Sequence, residues 1–171
     1  MKLDDYLTRA SARLDEAGVS FGHGTTNSLD EAAWLALWAL GLPLDDLDAV
    51  AERELTAAEE AKLDALFTTR IETRKPAAYL TGEAWLRGVP FTVDERVIVP
   101  RSLIAEVLAE GVIDAWMPVE IHRVLDLCTG NGSLAVLAAM AWPDVAVDAV
   151  PRLKNIYRRT MERLLASETP S

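Results

Sequence analysis

Cysteine is almost missing from this chain. Cys128 is the single thiol among 171 residues, so no intrachain disulfide can form. Histidine is scarce as well, and His23, His122 and Cys128 do not fall at metal-ligand spacings, which gives no case for a metal centre. Long apolar runs are absent: the Ala-rich stretch at 32–40 stops at Gly41, well short of the roughly 20 residues that span a bilayer. The opening Met-Lys-Leu-Asp-Asp lacks the basic-then-apolar order of a signal peptide. A cytoplasmic protein without membrane insertion is expected. Basic residues are outnumbered, 17 against 27 acidic, for a net charge of -10. Phosphate backbones are held by clustered cations, so direct nucleic-acid binding is not expected, while a basic protein partner suits the charge. Half of the residues are apolar, enough for one full domain or two small ones with roughly 70% of the surface buried.

Helical periodicity dominates the first part. Leu3, Tyr6, Leu7, Ala10, Leu14 and Ala17 recur at helical spacing, and Gly18 supplies a left-handed stop. Gly22-His23-Gly24-Thr25 reads as a loop. Ser28 with Glu31 three places on predicts a capping box opening a second helix that ends at Gly41 and Pro43, and Thr56 with Glu59 repeats the device for a third helix that finishes before Pro76. Trp34, Trp38 and Trp116 sit in helical patterns and are expected in the core.

From Ala78 the texture turns to β-formers, with Tyr79, Leu80, Trp85, Leu86, Val89, Phe91 and Val93 predicting a hairpin about Arg87-Gly88. Ser102 is placed to cap a short helix ending near Gly111. A buried-strand pattern at 123–127, a Gly-rich turn, an Ala-rich helix at 132–141 and a second apolar strand at 145–150 make one β–α–β unit. Residues 151–171 differ in charge, with five basic and two acidic side chains where the first 150 residues hold 12 and 25. They read as a basic amphipathic helix with Leu153, Ile156, Tyr157, Leu164 and Leu165 on one side.

The turn after the first of these strands is the chemically informative place. In Val124-Leu125-Asp126-Leu127-Cys128-Thr129-Gly130-Asn131-Gly132 a strand runs into two glycines and then a helix, whose unpaired N–H groups point at whatever sits above the strand. Gly130-x-Gly132-x-x-Ala135 also satisfies the dinucleotide fingerprint, so the loop alone is compatible with a nicotinamide oxidoreductase. Asp126 leans the choice. A carboxylate there accepts a hydrogen bond from the ammonium of a methionine moiety but repels a pyrophosphate. Either cofactor normally wants a carboxylate at the end of the second strand for its ribose, and Pro151 stands there instead; Asp148 lies inside the strand.

With these residues in view, residues 1–150 resemble the PrmB-type ribosomal-protein glutamine methyltransferase family, relatives of HemK-type release-factor methyltransferases. Phe21-Gly22-His23-Gly24-Thr25-Thr26-Asn27 with Asp30-Glu31-Ala32 resembles the helical N-terminal domain, and Ala78-Tyr79-Leu80-Thr81-Gly82 with Trp85 the entry to the hairpin. Val93-Asp94-Glu95-Arg96-Val97-Ile98-Val99-Pro100-Arg101-Ser102 resembles the family's linker, and Leu125 to Ser133 its cofactor motif. The resemblance implies an α/β protein. A helical substrate-recognition domain at 1–77 and a β-hairpin linker at 78–99 would lead into the first β–α–β unit of a Rossmann-like class I methyltransferase domain at 100–150, with a tail at 151–171 that does not match the family. It implies S-adenosyl-L-methionine as cofactor, held by Arg101, Asp126, Cys128, Thr129, Gly130, Asn131 and Gly132, and a basic ribosomal protein of the large subunit as partner. Arg101 would either neutralise the cofactor carboxylate or cap a local carbonyl; His23 would either contact substrate or serve the loop.

The family holds its acceptor amide with an Asn-Pro-Pro-Tyr motif. Asn occurs here at 27, 131 and 155, never before Pro, so this chain is expected to be truncated before that motif and catalytically defective. The rival expectation is a non-catalytic protein-binding module that retains the helical domain. Two parallel strands with uncovered faces also predict self-association.

Overall fold

A computed structural model describes residues 1–22, 24–117, 121–150, 158–160 and 162. It divides into two compact units, residues 1–81 and residues 82 onward.

The first unit is helical. α1 (Leu3–Glu16) buries Leu3, Tyr6, Leu7, Ala10 and Leu14, the i, i+3, i+4, i+7 stripe of an amphipathic helix, and Gly18 follows it at φ 62°. α2 (Ser28–Leu40) is capped differently from expectation. Asn27 is the N-cap and accepts from the Asp30 backbone N–H, while Ser28 is the first helical residue, its hydroxyl donating to Asp15 at 2.8 Å. Glu31 is consequently free of the helix end and points inward. Gly41 closes α2 in the left-handed region. A short α3 (Leu47–Val50), with no apolar periodicity to announce it, precedes α4 (Ala57–Thr73). Thr56 and Glu59 do form the reciprocal capping box at the start of α4, and left-handed Arg74 ends it.

The core of this unit packs α1, α2 and α4 around Tyr6, Leu35, Leu63 and Phe67, all fully buried. Tyr6 lies 6.0 Å from the Phe67 ring and donates its hydroxyl to Asp64 at 2.9 Å, so its polar end is satisfied where its ring is buried. Burial, then the Asp64 hydrogen bond, push the Tyr6 phenol well above its usual range. Residues 77–81 correct the sequence expectation. Tyr79 and Leu80 lie in α5 (Ala77–Thr81), because Pro76 opens a helical turn that Tyr79 closes at 2.9 Å, with Ala77 and Ala78 buried on it.

The second unit opens with a hairpin. β1 (Glu83–Leu86) pairs antiparallel with β2 (Val89–Thr92), and both turn residues, Arg87 at φ 52° and Gly88 at φ 78°, are left-handed as a two-residue hairpin turn requires. Ser102 caps α6 (Leu103–Ala109) by accepting from the Ile104 N–H, and a 3-10 turn (Val112–Trp116) follows. β3 (Arg123–Leu127) and β4 (Ala146–Val150) are parallel and joined by α7 (Ser133–Ala141). Phe91, Ala105, Leu108, Leu137 and Ala138 form the core between hairpin, α6 and α7.

Three burial expectations fail. β3 and β4 occupy the predicted residues but are not buried strands: Leu125 is 56% and Leu127 66% exposed. Trp116, at the end of the 3-10 turn, is 86% exposed, and Trp38 is 37% exposed. Trp34 packs partly against the first unit's core. No helix among the described residues is long and apolar enough to cross a membrane. The predicted tail helix falls mainly outside the described residues; within them, Arg158 pairs with Glu162 at 3.1 Å.

Candidate functional site

The second unit carries a cleft of about 540 Å³ between the segment at 96–102 and the turn after β3. The turn is built by local chemistry. Cys128 takes φ 61°, a left-handed value that side chains other than glycine rarely adopt, and Gly130 at φ 60° and Gly132 at φ 91° complete the reversal. The Gly132 N–H donates to the Thr129 carbonyl at 2.8 Å, closing the turn, and Gly132 is the N-cap of α7. Asn131, 3% exposed, braces the loop on two sides: its side-chain carbonyl accepts from the Ser133 N–H at 3.3 Å and its amide donates to the Thr92 carbonyl of β2 at 3.4 Å.

Six of the seven cofactor residues expected from the sequence line this one cleft: Arg101, Asp126, Cys128, Thr129, Gly130 and Asn131. Gly132 stands behind them. His23 lies outside the described residues. Asp126 is half-buried at the end of β3 and accepts from the Thr129 hydroxyl through Oδ2. Arg101 is exposed at the opposite wall. The cleft therefore sets a carboxylate, a guanidinium and the first N–H groups of α7 around one volume, within the roughly 300–1,000 Å³ range of small-molecule sites.

Sequence reasoning nominated only Arg101 from the facing segment, whereas Arg96, Val97, Ile98, Val99, Pro100 and Ser102 line it too. Their motif was visible, but nothing in residue type marks Val97 or Pro100 as a wall until the chain folds back over the turn. Arg96 is not a second spare cation. It grips Asp94 through Nε at 3.0 and 3.1 Å, and that hydrogen-bonded guanidinium holds the Asp94 carboxyl below its usual range.

The chemistry of these walls is complementary to a zwitterionic amino-acid moiety: Asp126 is a carboxylate that would suit an ammonium, and Arg101 with the α7 N-terminus would suit a carboxylate. The ribose end has less support. Asp148, the nearest carboxylate on β4, is paired with Arg123 at 2.6 Å across the strands, and no acidic residue stands at the end of β4 among the described residues.

Comparison with known proteins gives a consistent neighbourhood. Residues 5–82 match the PrmC N-terminal domain family. The chain is similar to the ribosomal protein uL3 glutamine methyltransferase of Bordetella pertussis, 50% identical over 150 residues that cover 86% of this chain and 50% of the relative. The protein of that name from Bradyrhizobium diazoefficiens is 48% identical over 157 residues, covering 86% and 49%, and that of Neisseria meningitidis 47% identical over 148 residues, covering 85% and 48%. The chain thus spans about half the length of the relatives it matches.

Proposed function

We propose that this chain, whose residues 5–82 match the PrmC N-terminal domain family and whose sequence resembles the ribosomal-protein glutamine methyltransferases as expected, carries a substrate-recognition domain and the first part of an S-adenosylmethionine site. The observation that carries the reading is the convergence of Arg101, Asp126 and the α7 N-terminus on one cleft. In this reading β3, α7 and β4 are the first β–α–β unit of a Rossmann-like class I methyltransferase domain. Asp126 accepts from the methionine ammonium, directly or through water. Arg101 and the N–H group of Leu134 meet its carboxylate, and the Cys128–Gly130 backbone lies against the ligand where bulkier residues would collide. The cofactor supplies a sulfonium methyl; the acceptor is the side-chain amide nitrogen of a glutamine in a basic large-subunit ribosomal protein, which loses a proton on methylation. The acidic balance of residues 1–81, 15 acidic against eight basic, supports attraction of such a partner.

An amide nitrogen is a weak nucleophile, since its lone pair is delocalised into the carbonyl, and it must be held by acceptors in line with the methyl. No Asn-Pro dipeptide occurs in these 171 residues to present such acceptors. The residues here therefore bind without turning over by themselves. Titration calorimetry with S-adenosylmethionine against NAD tests the site: binding of the first and not the second supports it, and the reverse preference would sink it. Labelled methyl transfer to a purified ribosomal protein tests the rest, with no turnover expected from this polypeptide alone.

A further inference from the structure

The two walls of the cleft come from distant parts of the chain: the turn after β3 forms one, and the segment at 96–102, which follows β2, forms the other. Hairpin register decides what β2 offers to the turn. Bonded and non-bonded pairs alternate along an antiparallel ladder. The Val93 N–H donates to the Gly82 carbonyl at 3.0 Å, so the next pair along, Glu83 with Thr92, is a non-bonded one. The Thr92 carbonyl therefore points out from the edge of the hairpin. Pro90 obeys the same alternation, standing opposite Trp85 at a position where no N–H is needed.

Asn131 takes that outward carbonyl. Its amide donates to Thr92 at 3.4 Å, across 39 residues of sequence, while its side-chain carbonyl accepts from the Ser133 N–H at 3.3 Å. Both ends of the amide are thus engaged by the protein, and at 3% exposure water does not compete for them. Gly130 at φ 60° and Gly132 at φ 91° flank it, so the side chain restrains a stretch of backbone that glycine leaves loose.

We propose that Asn131 is a positioning residue that clamps the two walls of the cleft at a fixed separation without contacting the ligand. By holding the turn to Thr92 it keeps Asp126 opposite Arg101, and so sets how tightly a ligand touching both is bound. A moiety with an ammonium at one end and a carboxylate at the other gains most from walls set in advance, because ordering them on binding is subtracted from the affinity. The consequence for the cofactor rests on the methyltransferase reading; the clamp itself does not.

Hydrogen exchange and calorimetry on the full chain test it. Asn131→Asp keeps an acceptor for Ser133 but has no N–H for Thr92. Asn131→Ala loses both bonds and carries the test if a buried carboxylate prevents folding. In the ligand-free chain the Val97 N–H, bonded to the Asp94 carbonyl on the far wall, should exchange roughly fivefold faster in either variant, together with the Gly132 N–H of the turn. The Leu42 N–H, bonded to Leu37 in the first unit, should keep its rate. S-adenosylmethionine should bind roughly tenfold more weakly to both variants, although Asp126 and Arg101 are untouched. A role confined to the turn would speed Gly132 and leave Val97 unchanged, and that result overturns the clamp. Unaltered cofactor affinity beside loosened walls overturns it as well. If the parent chain itself fails to bind S-adenosylmethionine, the methyltransferase reading falls and the exchange rates still decide the clamp.

Discussion

Arg70 of α4 and Glu31 of α2 form a buried ion pair, Nε to Oε1 at 2.7 Å, with 2% and 5% of their side chains exposed. The pair also holds both sides of the glycine-bracketed loop. Arg70 Nη2 donates to the Ser20 carbonyl at 3.1 Å, and the Thr25 hydroxyl donates to Glu31 Oε2 at 3.2 Å. A glycine-bracketed loop with exposed residues on either side of position 23 is thus pinned at its two shoulders by charges that water does not reach.

Removing one member leaves the other buried and unpaired. Arg70→Ala should lower unfolding stability by about 3–5 kcal/mol, whereas the joint replacement Arg70→Met with Glu31→Leu should recover most of it, since two apolar side chains carry no stranded charge. Urea denaturation decides this. A single-variant cost below about 1 kcal/mol would show that the charges are solvated.

The capping box of α4 makes stability depend on pH in a defined direction. The Thr56 backbone N–H, then the Arg53 side chain and the Thr56 hydroxyl, hold Glu59 at about 2, below its ordinary 4.5. A depressed carboxyl stabilises the fold fully above its ordinary value and loses that contribution as pH falls through 4.5 toward 2. The denaturation midpoint of Glu59→Gln should therefore lie below that of the parent at pH 7, with the gap narrowing below pH 4.5 and closing only as pH falls through about 2. A gap of constant size would assign the effect to packing instead of charge.

Cys128 sits at φ 61°, where a left-handed side-chain residue costs roughly 1–2 kcal/mol. Glycine accepts that conformation but loses roughly 0.5–1 kcal/mol in chain entropy. Cys128→Gly should accordingly match or exceed the parent in stability, while Cys128→Val, branched at Cβ, should fall below it. Thermal melts of the three proteins give the order, and a Val variant as stable as the parent would refute the strained turn.

Asp126 and Arg101 should separate by ligand part. Asp126→Asn is expected to weaken S-adenosylmethionine binding at least tenfold by removing the partner of the ammonium, and Arg101→Ala to weaken it less, because Arg101 is exposed and its charge is screened. If calorimetry finds Asp126→Asn unchanged, the ligand does not place its ammonium there.

Much of this protein is written locally. The stripe of α1, the Thr56–Glu59 box, the Arg87-Gly88 turn and the strand–turn–helix at 123–141 each depend on neighbours within a few residues, so periodicity and turn chemistry suffice to place them. The resemblance of residues 5–82 was likewise legible as order and motif. Tertiary structure decided what depends on distant groups. Glu31, whose spacing from Ser28 suggested a helix cap, turns inward because Arg70, 39 residues away in sequence, offers a buried counter-charge. Tyr79 and Leu80, β-formers by type, are helical because Pro76 and the core around Ala77 overrule propensity. Leu125 and Leu127 carry a buried-strand pattern and yet meet solvent: alternation says which residues share a face, but only the packed chain says whether anything lies against it.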